Sequence, residues 1–452
     1  MGAKTTREIA EFVCKTGYKD LPSEVVNYSK ILALSHLGVN IAGSAMDFGR
    51  KVTLYVKGKG GHPEVGVFGA GFRTCVDYAA LANGNSAHAT ELEDDSFPEA
   101  MYSCGHWPTV FAMGEKLKLS GRDVIEALVI GYEVAAKLGL AFLTAVGKGR
   151  ASYAALSAIG NAAAAAKMLR LNVKQTTSAL SIAASQATGL RRQGGTGAHL
   201  VEAGFTGRNG ICAAELAALG YTGSPTILEG KDGFGDMWSD CPEFDLPLGD
   251  GYRLMRVGIK KYSSCYGTQR NIDGVLDLIA EHNIAWDDVA SIEHGINYTA
   301  SHSLKYDQPE TAEETRFSFA HCSVACFFDK KVFLPSFTTD KARNPRWREA
   351  RKKVKVTVHP EWPDGYFDCF DSPVTITTKD GKSYTKLCHS ARGDPDQRFG
   401  TDDVMKKYLD CMDFAGTFSH ARVTQIAEMT LGLDKVEDVS ALTTFLTFPD
   451  QV

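Results

Sequence analysis

Several features are missing from this chain, and each absence removes a class of function. No apolar run approaches the roughly 18 residues that span a bilayer, so no membrane association is expected. The opening stretch MGAKTTREIAEFVCKTGY has scattered charge and no apolar core, which speaks against a secretory signal. Met1-Gly2-Ala3-Lys4-Thr5-Thr6 loosely fits a myristoylation pattern, but an ordinary start leading into a helix is the simpler reading. Eleven cysteines are spread through 452 residues with no CxxC pair. That usage reads as reduced, mostly buried thiols in a cytoplasmic protein. No cluster has metal-ligand spacing, so no metal is expected. Neither GxGxxG nor a P-loop occurs, and no cofactor is expected. A net charge of −5 gives no overall attraction to nucleic acid.

The remaining composition is that of a globular protein, with 44% hydrophobic and 23% charged residues. Its length exceeds one ordinary core and predicts two domains. Residues 1–255 read as helical. Val25, Tyr28, Leu32 and Val39 recur at helical spacing after Pro22-Ser23, and Val124, Leu128, Tyr132, Ala135 and Leu138 share a face. The segments 157–171 and 178–190 are rich in small residues that allow helices to approach closely. Between 256 and 401 the pattern changes to period-2 runs at 289–299, 353–362 and 373–388, with Asp380-Gly381 as a hairpin turn. Helical patterns at 269–283 and 316–330 separate those runs, so this part reads as a smaller α/β domain. Helical periodicity returns at 402–452 and is expected to complete the first domain. The fold class is therefore mainly α, a large helical bundle with a smaller α/β domain.

Four polar segments beside glycine-rich turns concentrate the chemistry. Residues 83–108 carry His88, Glu91, Glu93, Asp94, Asp95, Glu99 and His106. Residues 189–210 carry Arg191, Arg192, His199 and Arg208. Residues 258–273 carry Lys260, Lys261, Cys265 and Arg270, and residues 314–322 carry Arg316 and His321. Taken singly, each is by default a solvated or structurally satisfied side chain.

Together they resemble one family. HATELEDDS is similar to the MmgE/PrpD motif H-A-x-D-F-D-D-T, and GYTGSPTILEGKDGF to G-F-T-G-P-x-x-x-L-E-G-x-x-G-F. KKYSSCYGTQRNID resembles K-P-Y-P-S-C-x-x-T-H-x-x-I-D, the late RGDP matches a recurrent R-G-D-P, and ATGLRRQGGTGAHLVEAG resembles the segment that ends in H-A-G. The resemblance implies a helical domain with an α/β lid, an active site in the cleft between them, and a homodimer. It implies a cofactor-independent lyase acting on a small di- or tricarboxylic acid, with dehydration placed first. An epimerase, a cis-aconitate-type decarboxylase and a non-catalytic relative are the alternatives. Carried across, Asp94 takes the substrate-site aspartate, Lys260 the lid lysine, Cys265 a Cys-or-His position and His199 a Lys-or-His position. His321 falls where the decarboxylases place a tyrosine, and His106 lies near the histidine that follows the D-D motif.

Asp94, His199, Lys260 and His321 are thus the expected catalytic residues. His106, Arg191, Arg192, Lys261 and Cys265 are expected to bind substrate. A polycarboxylate needs opposed cations, and removal of water needs a base and an acid that titrate near neutrality. Two positions depart from the pattern. Arg150-Ala151-Ser152-Tyr153 stands where several members have F-H-P-T, and Glu202 stands for the H-A-G histidine.

Overall fold

A computed structural model of the chain describes residues 5–329, 331–363 and 371–450. Met1–Lys4, with the myristoylation-like pattern, and Lys330 lie outside them. The chain divides into two compact units. The first comprises Met1–Arg192, Leu200–Val257 and Gly400–Val452; the second comprises Gln193–His199 and Gly258–Phe399. The architecture is mainly α with small sheets, as the periodicity predicts. No single helix among the described residues is long and apolar enough to cross a membrane.

The first unit is built on helices that touch backbone to backbone. Gly121–Ala141 opens with a capping box, in which Ser120 accepts from the Asp123 amide and Asp123 accepts from the Ser120 amide. It packs on Ser152–Met168, whose Ala162–Ala166 run is entirely buried. Their crossing is set by two glycines. A Cβ on Gly160 would lie 2.4 Å from the Gly131 carbonyl oxygen, and one on Gly131 would lie 2.6 Å from the Gly160 oxygen. The C-terminal helix Thr401–Ala415 packs on Ser23–Ser44, where Gly38 admits the Tyr408 backbone. The N-terminal helix Thr5–Lys15 is pinned from the motif ILEG, since Glu229 accepts from both the amide and the hydroxyl of Thr6.

The second unit carries a four-stranded sheet. Val289–Asn297 pairs in parallel with Val354–His359 and antiparallel with Ser372–Thr378, which pairs in turn with Ser383–Cys388. The hairpin turn falls at Asp380-Gly381, where Gly381 takes φ +86°. Gln269–His282 and Phe319–Phe328 cover the sheet around Tyr262, Ile272, Val275, Ile292, Trp347, Val374 and Ile376.

Gly160→Ala should destabilise the protein by about 1–3 kcal/mol through overpacking. Urea unfolding followed by circular dichroism should show an earlier midpoint with an unchanged slope.

Candidate active site

In the first unit, the helix Val76–Ala89 carries His88 in its last turn, and the chain then turns sharply, with Glu91 at φ +51°. That turn sends Glu91, Glu93, Asp94 and Asp95 inward, each no more than 3% exposed. Asp94 accepts from the Ser35 hydroxyl at 2.8 Å and from Ser103 at 3.4 Å. Lys407 stands 3.6 Å from it and also donates to the Leu92 carbonyl at 2.8 Å. Burial pushes the Asp94 carboxyl above its ordinary value, while Lys407 and Ser35 pull it back. His88 lies 3.9 Å from Glu91 and 3.8 Å from Glu93.

An aromatic group adjoins His88. Its ring meets Tyr102 and Tyr153 edge-on, with centroids at 5.9 and 5.7 Å. The two tyrosines stack at 4.3 Å with planes 19° apart. The Tyr153 hydroxyl donates to the Glu202 carboxylate. The two departures from the motif pattern are therefore in direct contact. Burial, and then the Glu202 charge, hold the Tyr153 phenol well above its usual value.

In the second unit, the glycine pair at 194–195 forms a tight turn. Gly195 takes φ +84°, and a Cβ there would sit 2.5 Å from the Tyr306 ring. Tyr306 donates to the Gly194 carbonyl at 3.3 Å. This turn presents His199, 7% exposed, with its ring edge-on to Phe317 at 5.6 Å. The next residue back, Arg316, accepts at its carbonyl from the Cys265 amide at 2.9 Å. The 316–317 segment thus joins His199 and Cys265 within this unit.

The loop bearing Lys260 and Lys261 is fixed by Gln269, whose side-chain oxygen accepts from the amides of Lys261 and Tyr262. The amide nitrogen of Gln269 donates to the carbonyls of Tyr262 and Ser264. Lys260 is buried, and Lys261 is 3.7 Å from Asp273. The RGDP motif braces the same loop. Arg392 binds Asp273 at 2.7 Å, and Asp394 accepts from Tyr266 at 2.6 Å. Burial pushes the Asp394 carboxyl up to about 6.

The structure places two of the expected site residues, His321 and His106, within close packing. His321 is fully buried, stacked on Trp347 at 4.8 Å, with Nε2 held 2.9 Å from the Ser336 carbonyl. It is a core histidine of the second unit, because its helix turns that face toward Phe337 and Trp347. His106 is equally buried. Its Nε2 pairs with Ser157 at 3.1 Å, and its ring lies against Tyr132. The 131–160 glycine crossing closes around it, so it belongs to the helix packing. Burial holds both histidines down at about 3. Arg191 is tied by its amide to the Gly149 carbonyl and is partly exposed, and Arg192 is exposed.

Sequence reading missed Tyr102, Lys407 and Ser35 altogether. It named Tyr153 and Glu202 only as replacements. Tyr102 sits in the 83–108 segment and had a local signal there. Lys407 lies more than 300 residues from its partner and had none.

A family model described as the MmgE/PrpD N-terminal domain matches residues 7–247, and one described as the MmgE/PrpD C-terminal domain matches residues 262–433. This chain belongs to the MmgE/PrpD family. Cis-aconitate decarboxylase of Mus musculus is 27% identical over 452 residues, covering 95% of this chain and 90% of the relative. The Homo sapiens protein of the same name is 25% identical, covering 95% of this chain and 92% of the relative. The one from Aspergillus terreus is 27% identical, covering 98% and 96%.

The imidazoles of His36, His106 and His321 are each held down at about 3 by burial. Their folded values lie below the unfolded value of about 6.5. Their neutral burial therefore supports folding fully above that value, and this support is lost as pH falls from it toward 3. NMR of histidine-labelled protein should show these three rings neutral and unshifted from pH 8 to pH 5, while exposed histidines titrate.

Proposed function

We propose that this chain is a lyase acting on a small di- or tricarboxylic acid, and that its reaction is removal of water across a carbon–carbon bond. Dehydration begins when a base takes the proton α to a carboxylate. The observation that supports it is the contact between the buried Tyr153 phenol and the Glu202 carboxylate, a group able to receive a proton. The charge left on the substrate spreads into its carboxylate as an enediolate, which fixed cations stabilise. Lys260, Lys261, Arg191 and Arg192 are our candidates for that task. His199 is the candidate acid for the departing hydroxyl, and Asp94, braced by Ser35 and Lys407, is the candidate to orient a histidine or to act as a base itself.

A second reading is decarboxylation, which the names of the relatives favour. Decarboxylation ends with a proton delivered to carbon, a step the same Tyr153–Glu202 pair serves in reverse. Incubation with carboxyl-labelled cis-aconitate separates the two, since only decarboxylation releases labelled CO2. We further propose a cytoplasmic homodimer. Free thiols at every cysteine among the described residues support a reducing compartment, and the family resemblance supports the dimer, which light scattering would test.

Citrate, 2-methylcitrate and tartrate offered to the enzyme should reveal a substrate by the ultraviolet absorbance of the new alkene. Failure of all three would remove the dehydration reading. His199→Ala and Lys260→Ala should each lower kcat/KM by about a hundredfold or more while folding persists. EDTA should leave turnover intact; loss of activity restored by a divalent ion would overturn a scheme that rests on fixed cations.

A further inference from the structure

We propose that Tyr153 and Glu202 form the proton-accepting relay of the reaction, with Tyr153 meeting the substrate and Glu202 positioning the phenol and receiving the proton.

The inference rests on the dehydration reading above and on four observations. Tyr153 donates its hydroxyl hydrogen to Glu202. Its ring is clamped face-on by Tyr102 at 4.3 Å and edge-on by His88 at 5.7 Å, which fixes the phenol oxygen. Tyr153 is only 5% exposed, whereas Glu202 and Tyr102 are partly exposed, so the carboxylate end of the pair can exchange its proton with water. Finally, Glu202 stands at the H-A-G histidine position, and Tyr153 lies two residues after Ala151, where the F-H-P-T histidine is missing. A buried tyrosine ordinarily finds some acceptor, so the hydrogen bond by itself is unremarkable. What separates a relay from a packing bond is that this contact, with its phenol held in an aromatic clamp, sits where both motif histidines are missing.

A phenol that keeps its own hydrogen is a poor base, and burial beside a carboxylate disfavours the tyrosinate. A concerted transfer avoids that species. The substrate C–H bond breaks and a new O–H forms on Tyr153, while the original Tyr153 O–H breaks and a new O–H forms on Glu202. The C–H electron pair stays on the substrate as the enediolate. Tyr153 is neutral before and after, Glu202 becomes a carboxylic acid, and water resets it. A lone histidine does this in one step. Here two residues share the task, and neither suffices without the other.

The test uses the full chain with citrate, 2-methylcitrate and tartrate in D2O, following both alkene formation and deuterium entering recovered substrate. Tyr153→Phe and Glu202→Gln should each lower kcat about a hundredfold and leave KM within about threefold. Both should slow deuterium entry in proportion, a readout that a packing defect would not move selectively. The double variant should be no slower than the worse single one, because the residues act as a unit. Thermal melts of the two isosteric variants confirm folding, and Glu202→Gln alone decides the matter if Tyr153→Phe does not fold. Wild-type turnover with near-normal kcat in the folded variants, or with losses that multiply, would overturn the relay and leave the dehydration reading standing. A wild-type enzyme inert toward all three probes would remove that reading, and the relay with it.

Discussion

Asp94 is a carboxylate with almost no access to water, set in a turn that buries three further acids beside it. Removing such a group from water costs several kcal/mol unless it is paired and hydrogen-bonded. The compensation comes from far away in sequence. Ser35 lies on the second helix, and Lys407 lies on a helix that forms only after the chain has passed through the whole second unit. The acidic turn cannot be stable in isolation, and this requirement ties the first and last thirds of the chain into one folded body. Lys407 meets two demands at once, offsetting the Asp94 charge and satisfying the Leu92 carbonyl. A neutral side chain without a donor would leave the Leu92 carbonyl without this bond and the Asp94 charge without its cation.

That arrangement is affordable in space because the helices around it are made of small residues. The Gly131–Gly160 crossing and the buried Ala162–Ala166 run bring backbones close enough to exclude water from the unit's centre. Exclusion of water lowers the local dielectric, which strengthens every remaining electrostatic contact and raises the cost of any unpaired one. The shifts at His106, Asp94 and Tyr153 share this origin, since burial is the leading cause of each. Close packing and perturbed acidity are thus two results of the same small-residue composition.

The legible parts of the sequence were those in which a local pattern has one physical outcome. Helical spacing gave the first-unit helices, alternation gave the strands at 289–297, 354–359 and 372–388, and Asp380-Gly381 gave the hairpin turn. The motifs were legible too, but several of them turn out to brace rather than react. Glu229 clamps the N-terminal helix, and Arg392 with Asp394 holds the Lys260 loop. Each of these residues has a fixed partner within its own unit. The surroundings of His106 and His321 were not legible for a related reason. An imidazole in a polar-looking segment can serve as a small polar wedge between aromatic rings, and sequence does not say which face of a helix meets solvent.

Illegible were contacts that join distant segments without periodic signature. Tyr153 and Glu202 lie on different helices 49 residues apart; Glu202 stands at the H-A-G histidine position, and Tyr153 lies two residues after the missing F-H-P-T histidine. Read one at a time the two segments suggest a decaying site, and only the fold shows that they meet. A buried phenol needs an acceptor, and many groups would serve. The fold adds the clamp of Tyr102 and His88, which holds the phenol oxygen in place against a partly exposed carboxylate, and that fixed geometry is the physical argument for the proposed relay.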